Sequence, residues 1–244
     1  MPQLPLGQTA RGTRYELTGI VDVISSVSLT TAETNPLVHL IQAALPHVPE
    51  GEYDLIVDYK ASRRPAEDSD YAAQYRWQVQ TYAWLRSQVP HARPVGAAIL
   101  IYINELSPLQ GDLTEFKHDI ANNRTDIVPA NGSPEYYALH GWHPGAPVPN
   151  FPEEFLRRRA VKIIEVGNVS VEQAVHQIDG TVTQIESAAF TEHNTGNIPA
   201  HWPATGQDKD CDACDFFHFC PSPFGVRQEI LQGNPPPSRV PSAP

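Results

Sequence analysis

No apolar run in this chain is long enough to span a bilayer. The longest, residues 95–103, falls far short of the roughly 20 residues a transmembrane helix needs. The opening MPQLPLGQTARG has neither the charged nor the apolar region of a secretion signal, and a cytoplasmic protein is expected. Basic residues are scarce: 17 Lys and Arg stand against 28 Asp and Glu, a formal net charge of -11. That excludes a generic nucleic-acid coat protein, whose affinity comes mainly from cations meeting phosphates. It leaves room for an enzyme acting on DNA, because a metal site needs carboxylates and bound metal reverses the local field. No glycine-rich phosphate loop occurs, which argues against an ATPase. No G-x-S-x-G nucleophile elbow occurs either. Cysteine is confined to positions 211, 214 and 220, too few and too crowded for a secreted disulfide framework. No internal repeat is visible.

What remains is enough for one sizeable core, in 244 residues, or one domain carrying a large insertion. Residues 15–29 are rich in Val, Ile, Leu and Thr and predict one bent strand or a tight hairpin. Residues 31–51 hold an apolar stretch that fits a short helix. Residues 53–59, YDLIVDY, alternate as a strand and run into Lys60. Tyr71, Tyr75, Val79 and Tyr82 recur at helical steps, so residues 71–88 predict a helix that stops before Pro90. Residues 95–103 read as a buried strand, 161–166 as another strand, and 170–190 as a helix. Between them, residues 104–160 lose the pattern from 104 to 150 and predict an insertion over one face of the core. Residues 198–221 form a cysteine-bearing loop within a single domain of residues 1–231. The proline-rich tail 232–244 is expected to be disordered. The order predicts an α/β fold with a mixed central sheet flanked by helices.

The chemistry gathers around the second strand. Side chains alternate along a strand, so Asp58 and Lys60 share a face while Tyr59 points away, into the core. Asp22, in GIVD on a neighbouring strand, adds a second carboxylate. Two carboxylates can converge on Mg²⁺, which prefers oxygen ligands and keeps several waters. Such an ion polarises a phosphoryl oxygen and activates water, and a lysine beside it can orient that water and neutralise developing charge. Gln78 and Tyr82, four apart on the following helix, share a face from which an amide and a phenol can hydrogen-bond phosphates. Each piece has a bland counterpart. A D-x-K tripeptide is often an exposed ion pair worth little, Asp22 can be a turn residue, and Tyr82 can be a core aromatic. Arg63 and Arg64, and the run Arg157, Arg158 and Arg159, either touch a DNA backbone or stand as solvated patches.

The three cysteines form C-x2-C-x5-C-P. Three thiolates this close suit an iron–sulfur cluster or zinc, and His218 offers a local fourth ligand for zinc. Other histidines look incidental: His39, His47 and His91 are isolated, and His140 and His143 flank a packing Trp142. Trp77 and Trp84, seven apart on the helix, predict a core or partner face.

G-x-x-D, then D-x-K, then Q-x-x-x-Y, present here as GIVD, DYK and QVQTY, resembles the PD-(D/E)XK nuclease superfamily, in particular its RecB-like branch. The resemblance covers roughly residues 15–103 and returns at the cysteines. It implies a restriction-endonuclease-like core and an Mg²⁺ or Mn²⁺ site with Asp22 and Asp58 as ligands. Lys60 would be the catalytic lysine, with Gln78 and Tyr82 as the motif after it. Arg63, Arg64 and Gln78 would contact DNA. Relatives of the CRISPR-associated exonuclease and AddB types carry a similar C-terminal cysteine loop that joins one distant upstream cysteine on a [4Fe-4S] cluster. Here no upstream cysteine is present, and the helix that precedes G-x-x-D in the family is missing as well. The resemblance implies that an N-terminal segment of the relatives is not part of this sequence, which would account for both. The resemblance implies DNA as substrate, single-stranded or at duplex ends, and a setting in repair, recombination or CRISPR adaptation, with a helicase or adaptation partner. A non-cutting nuclease-fold module that binds DNA or a helicase is the other expectation.

Overall fold

The computed structural model describes residues 6–8, 14–30 and 35–196. The chain divides into two compact units, Met1–Gln8 with Gly12–Asp179, and Thr9–Arg11 with Gly180–Pro244. The first contains the sheet and all the candidate residues outside the cysteine loop. The second is described through the later part of one helix.

The first unit begins with a two-stranded antiparallel ribbon, β1 (Leu6–Gln8) and β2 (Arg14–Glu16). Next come β3 (Val23–Leu29), α1 (Pro36–Ala44), β4 (Gly51–Lys60), α2 (Asp70–Ser87) and β5 (Val95–Tyr102). A short 3₁₀ turn (Ile103–Leu106) leads to α3 (Gln110–Ala121), α4 (Pro134–Gly141), α5 (Glu153–Ala160), β6 (Val161–Glu165) and α6 (Asn168–Thr195). The central sheet has the order β3-β4-β5-β6. β4 and β5 run parallel, as a crossover through α2 requires, while β3 and β6 flank them antiparallel. This is a mixed sheet flanked by helices, consistent with a restriction-endonuclease-like fold.

Residues 15–29 differ from the expected bent strand or hairpin. β2 pairs with β1 rather than with β3, and the segment between carries Gly19 and Asp22. An added Cβ on Gly19 would sit 3.0 Å from Leu85 Cδ1 and 3.3 Å from Tyr82 Cε1. A side chain there would crowd Leu85 and Tyr82 of α2, whose ends would have to give way.

Both faces of the sheet are covered. On one, Leu55, Ala97 and Ile99 pack with Leu29, Val38 and Ile41 of β3 and α1. On the other, Ile56, Ala98, Leu100 and Tyr102 pack with Val79 and Ala83 of α2. The period of two along β4 and β5 therefore sorts their side chains between two cores. The helices start on predictable caps: Asn35 accepts from Leu37 N–H for α1, and Ser69 from Ala72 N–H for α2. Asp54, buried at the start of β4, accepts from Ser26 and pairs with Arg86, locking β3 and α2 to the sheet.

Residues 104–160 are not an irregular covering. They carry three helices and a core of their own, formed by Leu113, Phe116, Leu139, Trp142, Phe151 and Phe155. The helices are only 8 to 12 residues long, too short for an amphipathic period to emerge between the prolines and glycines. The buried Glu105–Arg159 pair, with oxygen–nitrogen distances of 2.6 and 2.8 Å, ties this layer to the end of β5. Among the described residues no helix is long and apolar enough to cross a membrane.

Candidate active site

β4 delivers Asp58 and Lys60 to the face covered by α2. Asp58 is 4 % exposed, and its Oδ2 lies 2.5 Å from Lys60 Nζ. The ammonium also donates to Gln78 Oε1 at 2.6 Å. Gln78 Nε2 in turn donates to the Tyr82 hydroxyl at 2.8 Å. The four-residue spacing on α2 does what a helix face dictates. A continuous chain of polar contacts therefore runs from carboxylate to ammonium to amide to phenol. Gly19 lets the segment before β3 close over Tyr82 at the end of that chain.

Asp22 stands one residue before Val23, and Val23 pairs with Val57, the residue before Asp58. Its Oδ2 accepts from the Tyr59 amide N–H at 2.9 Å. That amide lies between Asp58 and Lys60, so Asp22 arrives beside the D-x-K tripeptide. Unlike Asp58, it is exposed to solvent. Tyr59 departs from expectation: it is 48 % exposed. On its face of β4, Leu55 and Val57 pack on the α1 cluster, and Tyr59 lies beyond that cover.

Sequence reasoning passed over Tyr75. Its ring centroid lies 4.3 Å from Lys60 Nζ, a cation–π contact in a half-buried setting. The signal was its position three residues before Gln78 on the same helix face. Tyr75 also packs on Tyr102, with centroids 6.2 Å apart, and Tyr102 is the β5 partner of Lys60. Burial pushes the Tyr102 phenol well above its ordinary range, against the opposing pull of Arg64, and keeps it neutral.

Of the two arginines expected to contact DNA, Arg64 is buried and Arg63 is partly buried, and both engage groups of the chain itself. Arg64 is 4 % exposed. It donates to the carbonyls of Arg159 and Val161, each at 3.2 Å, and pairs with Asp126. Arg63 donates to buried Asp119 at 2.9 Å and lies 3.5 Å from Glu115. Both hold the helices of residues 104–160 to the loop after β4. Arg159 is likewise buried on Glu105. Reading these side chains as surface charge missed their acidic partners Asp119, Asp126 and Glu105.

Among the described residues no group of three or more His, Cys, Asp or Glu is placed to hold a metal ion. The donors near the D-x-K tripeptide are the carboxylates of Asp22 and Asp58. Such a sparse oxygen set fits Mg²⁺ or Mn²⁺, which are held by one or two carboxylates with water and phosphate oxygens filling the shell. It does not fit a structural zinc site of four protein ligands. Asp58 Oδ2 is buried with the Lys60 ammonium 2.5 Å away as its ion-pair partner, so a cation held by Asp58 would share this carboxylate with Lys60. The expected iron–sulfur or zinc ligands Cys211, Cys214 and Cys220, and the tail, lie outside the described residues.

The family model described as PD-(D/E)XK nuclease superfamily matches residues 48–221. The matched span contains Asp58, Lys60, Gln78, Tyr82 and the three cysteines, and it begins after Asp22. Neither the curated proteins nor the solved structures contain a match.

Proposed function

Because the chain belongs to the PD-(D/E)XK nuclease superfamily, we propose that it is a metal-dependent DNA nuclease of the RecB-like type, cutting phosphodiester bonds at the end of β4. The observation that carries this is the buried Asp58–Lys60 pair held by Gln78, with Asp22 bonded to the amide between them. Asp22 and Asp58 would hold Mg²⁺ or Mn²⁺. The bound ion supplies Lewis-acid polarisation of the phosphate and a more acidic water.

The chain's own residues do the rest. Asp58 and Gln78 fix the Lys60 ammonium from two sides, so its charge is aimed without reorganisation at the negative charge that develops on the phosphate. Tyr75 flanks the ammonium and limits water around it. Gln78 spends its carbonyl on Lys60 and its amide on Tyr82, which sets the distance of α2 from the strand end. Because Asp22 is exposed, it marks the side from which a polynucleotide enters. The RecB-like assignment is supported by the order GIVD, DYK, QVQTY and by cysteines inside the matched span. On that basis the three cysteines would supply three of the four ligands of a [4Fe-4S] cluster, with zinc completed by His218 as the alternative, and the setting would be repair, recombination or CRISPR adaptation beside a helicase or adaptation partner.

A non-cutting DNA- or helicase-binding module is the second reading. It is favoured by the net charge of -11 and by the internal commitment of Arg63 and Arg64. Incubation with labelled single-stranded and duplex DNA in Mg²⁺ or Mn²⁺ separates the two. The nuclease reading expects cleavage that is lost with EDTA and lowered at least about 10²-fold in Lys60→Ala. Metal-independent cleavage, or equal activity in Lys60→Ala, would count against it. DNA binding without cleavage by wild type would favour the module.

A further inference from the structure

The Lys60 ammonium meets one charged partner and two neutral ones. Asp58 Oδ2 lies 2.5 Å from it, and Gln78 Oε1 accepts from it at 2.6 Å. The Tyr75 ring closes a third side, with its centroid 4.3 Å from Nζ. We infer that Tyr75 is a positioning residue for phosphodiester cleavage: its ring, braced by Tyr102, keeps the Lys60 ammonium at the phosphate once a divalent ion engages Asp58. The inference deepens the nuclease reading and rests on it.

Asp58 has to serve two cations. The carboxylate that would hold Mg²⁺ or Mn²⁺ is the one already paired with Lys60, and among the described residues no other carboxylate lies within ion-pair distance of that ammonium. Ion and ammonium also repel each other across a few ångströms. Little water screens them, since the Lys60 and Asp58 side chains are 11 % and 5 % exposed. The hold of Asp58 on the ammonium is therefore weaker in a loaded site. Gln78 and Tyr75 carry no charge for an ion to compete for. A carbonyl dipole and the negative face of a ring still attract the ammonium, and the ring contact strengthens where water is excluded.

The ring is itself held in place. Tyr75 stands three residues before Gln78, so both reach Lys60 from one face of α2. It contacts the rings of Tyr71 and Tyr102, at centroid distances of 6.5 and 6.2 Å. Tyr102 is fully buried and is the β5 partner of Lys60, so the brace and the ammonium are tied to one rung of the sheet. Lysine carries its charge on a flexible four-carbon stem, and a small misplacement of a reacting group costs rate steeply. Gln78 takes one of the three ammonium donors. The Tyr75 face restricts where the others point.

The test uses the whole protein with Tyr75→Leu, Tyr75→Phe and a series in which fluorinated phenylalanines replace Tyr75. Fluorine keeps the shape of the ring and drains its negative face. With labelled DNA and Mn²⁺, Tyr75→Leu should lose about 10-fold in kcat with little change in KM. Tyr75→Phe should regain most of that loss, and each added fluorine should lower kcat again. In EDTA the contact is read without cleavage: Tyr75→Leu should lower the melting temperature by roughly 2–4 °C more in wild type than in Lys60→Met. Cleavage that is indifferent to fluorine, or full kcat in Tyr75→Leu, overturns the positioning role and leaves the nuclease reading standing. Melting shifts that simply add in EDTA overturn the contact behind it. A wild type that never cuts overturns the nuclease reading and this role with it. The fluorinated series keeps the ring, so it decides even where Tyr75→Leu fails to fold.

Discussion

Replacing Lys60 by Met keeps the length of the side chain and removes its charge. In the metal-free protein this strands Asp58, whose side chain is 5 % exposed and whose Oδ2 has Lys60 Nζ, 2.5 Å away, as its ion-pair partner. Breaking a buried ion pair from one side costs about 3–5 kcal/mol, because the remaining charge stays desolvated. Gln78 Oε1 also loses its 2.6 Å donor, and Tyr75 its cation. For a chain of this size about 1 kcal/mol moves the melting temperature by roughly 2–4 °C. Lys60→Met in EDTA should therefore melt roughly 6–20 °C below wild type. Asp58→Asn together with Lys60→Met should recover a large part of that loss, since the stranded charge is gone. Added Mn²⁺ should raise the melting temperature of Lys60→Met, because the ion replaces the missing positive charge. Scanning calorimetry of the three proteins decides it. A Lys60→Met protein that melts within a degree or two of wild type in EDTA, or a double variant that is no better than the single, would refute the reasoning.

Asp22→Asn should leave the melting temperature close to that of wild type, because the side chain is exposed and an amide oxygen still accepts from Tyr59. Cleavage should nevertheless fall by roughly 10²-fold or more, and a gel assay with labelled DNA checks this. Arg64→Ala should cost about 2–6 kcal/mol in urea unfolding, since the carbonyls of Arg159 and Val161 lose their donor at about 1–3 kcal/mol each. The slope of DNA affinity against salt should not change, because no phosphate contact is lost. Burial and the hydrogen bond to Asp179 push the Tyr15 phenol up to about 12. A raised phenol pKa means a contribution that is whole below the ordinary value near 10 and fades as pH climbs towards 12. Wild type should lose stability over that window, and Tyr15→Phe should lose less of its own, as followed by circular dichroism.

The centre of the molecule was legible because its signals are long and regular. Alternation in β4 and a helical stripe in α2 each exceed the window that a period needs. D-x-K and Q-x-x-x-Y then fall on faces that geometry alone assigns. The sequence was less informative where contacts are nonlocal. Nothing near Arg64 announces that carbonyls some 95 residues later will surround it. Tyr59 obeys the alternation, yet it is half exposed because α1 does not reach that far along β4. The helices of residues 104–160 were readable only from their starts, such as Ser133 before Pro134, where the hydroxyl caps Tyr136 N–H. Tyr15 and Val23 look continuous in apolar character, but β2 and β3 belong to different sheets.

The most direct measurement is Mn²⁺ binding by electron paramagnetic resonance, on wild type and on Asp22→Asn and Asp58→Asn singly. If the two carboxylates share one ion beside Lys60, each substitution weakens binding by roughly tenfold or more, and the two together abolish it. Wild-type affinity in either single variant would mean that the ion, and with it the site of cleavage, lies elsewhere.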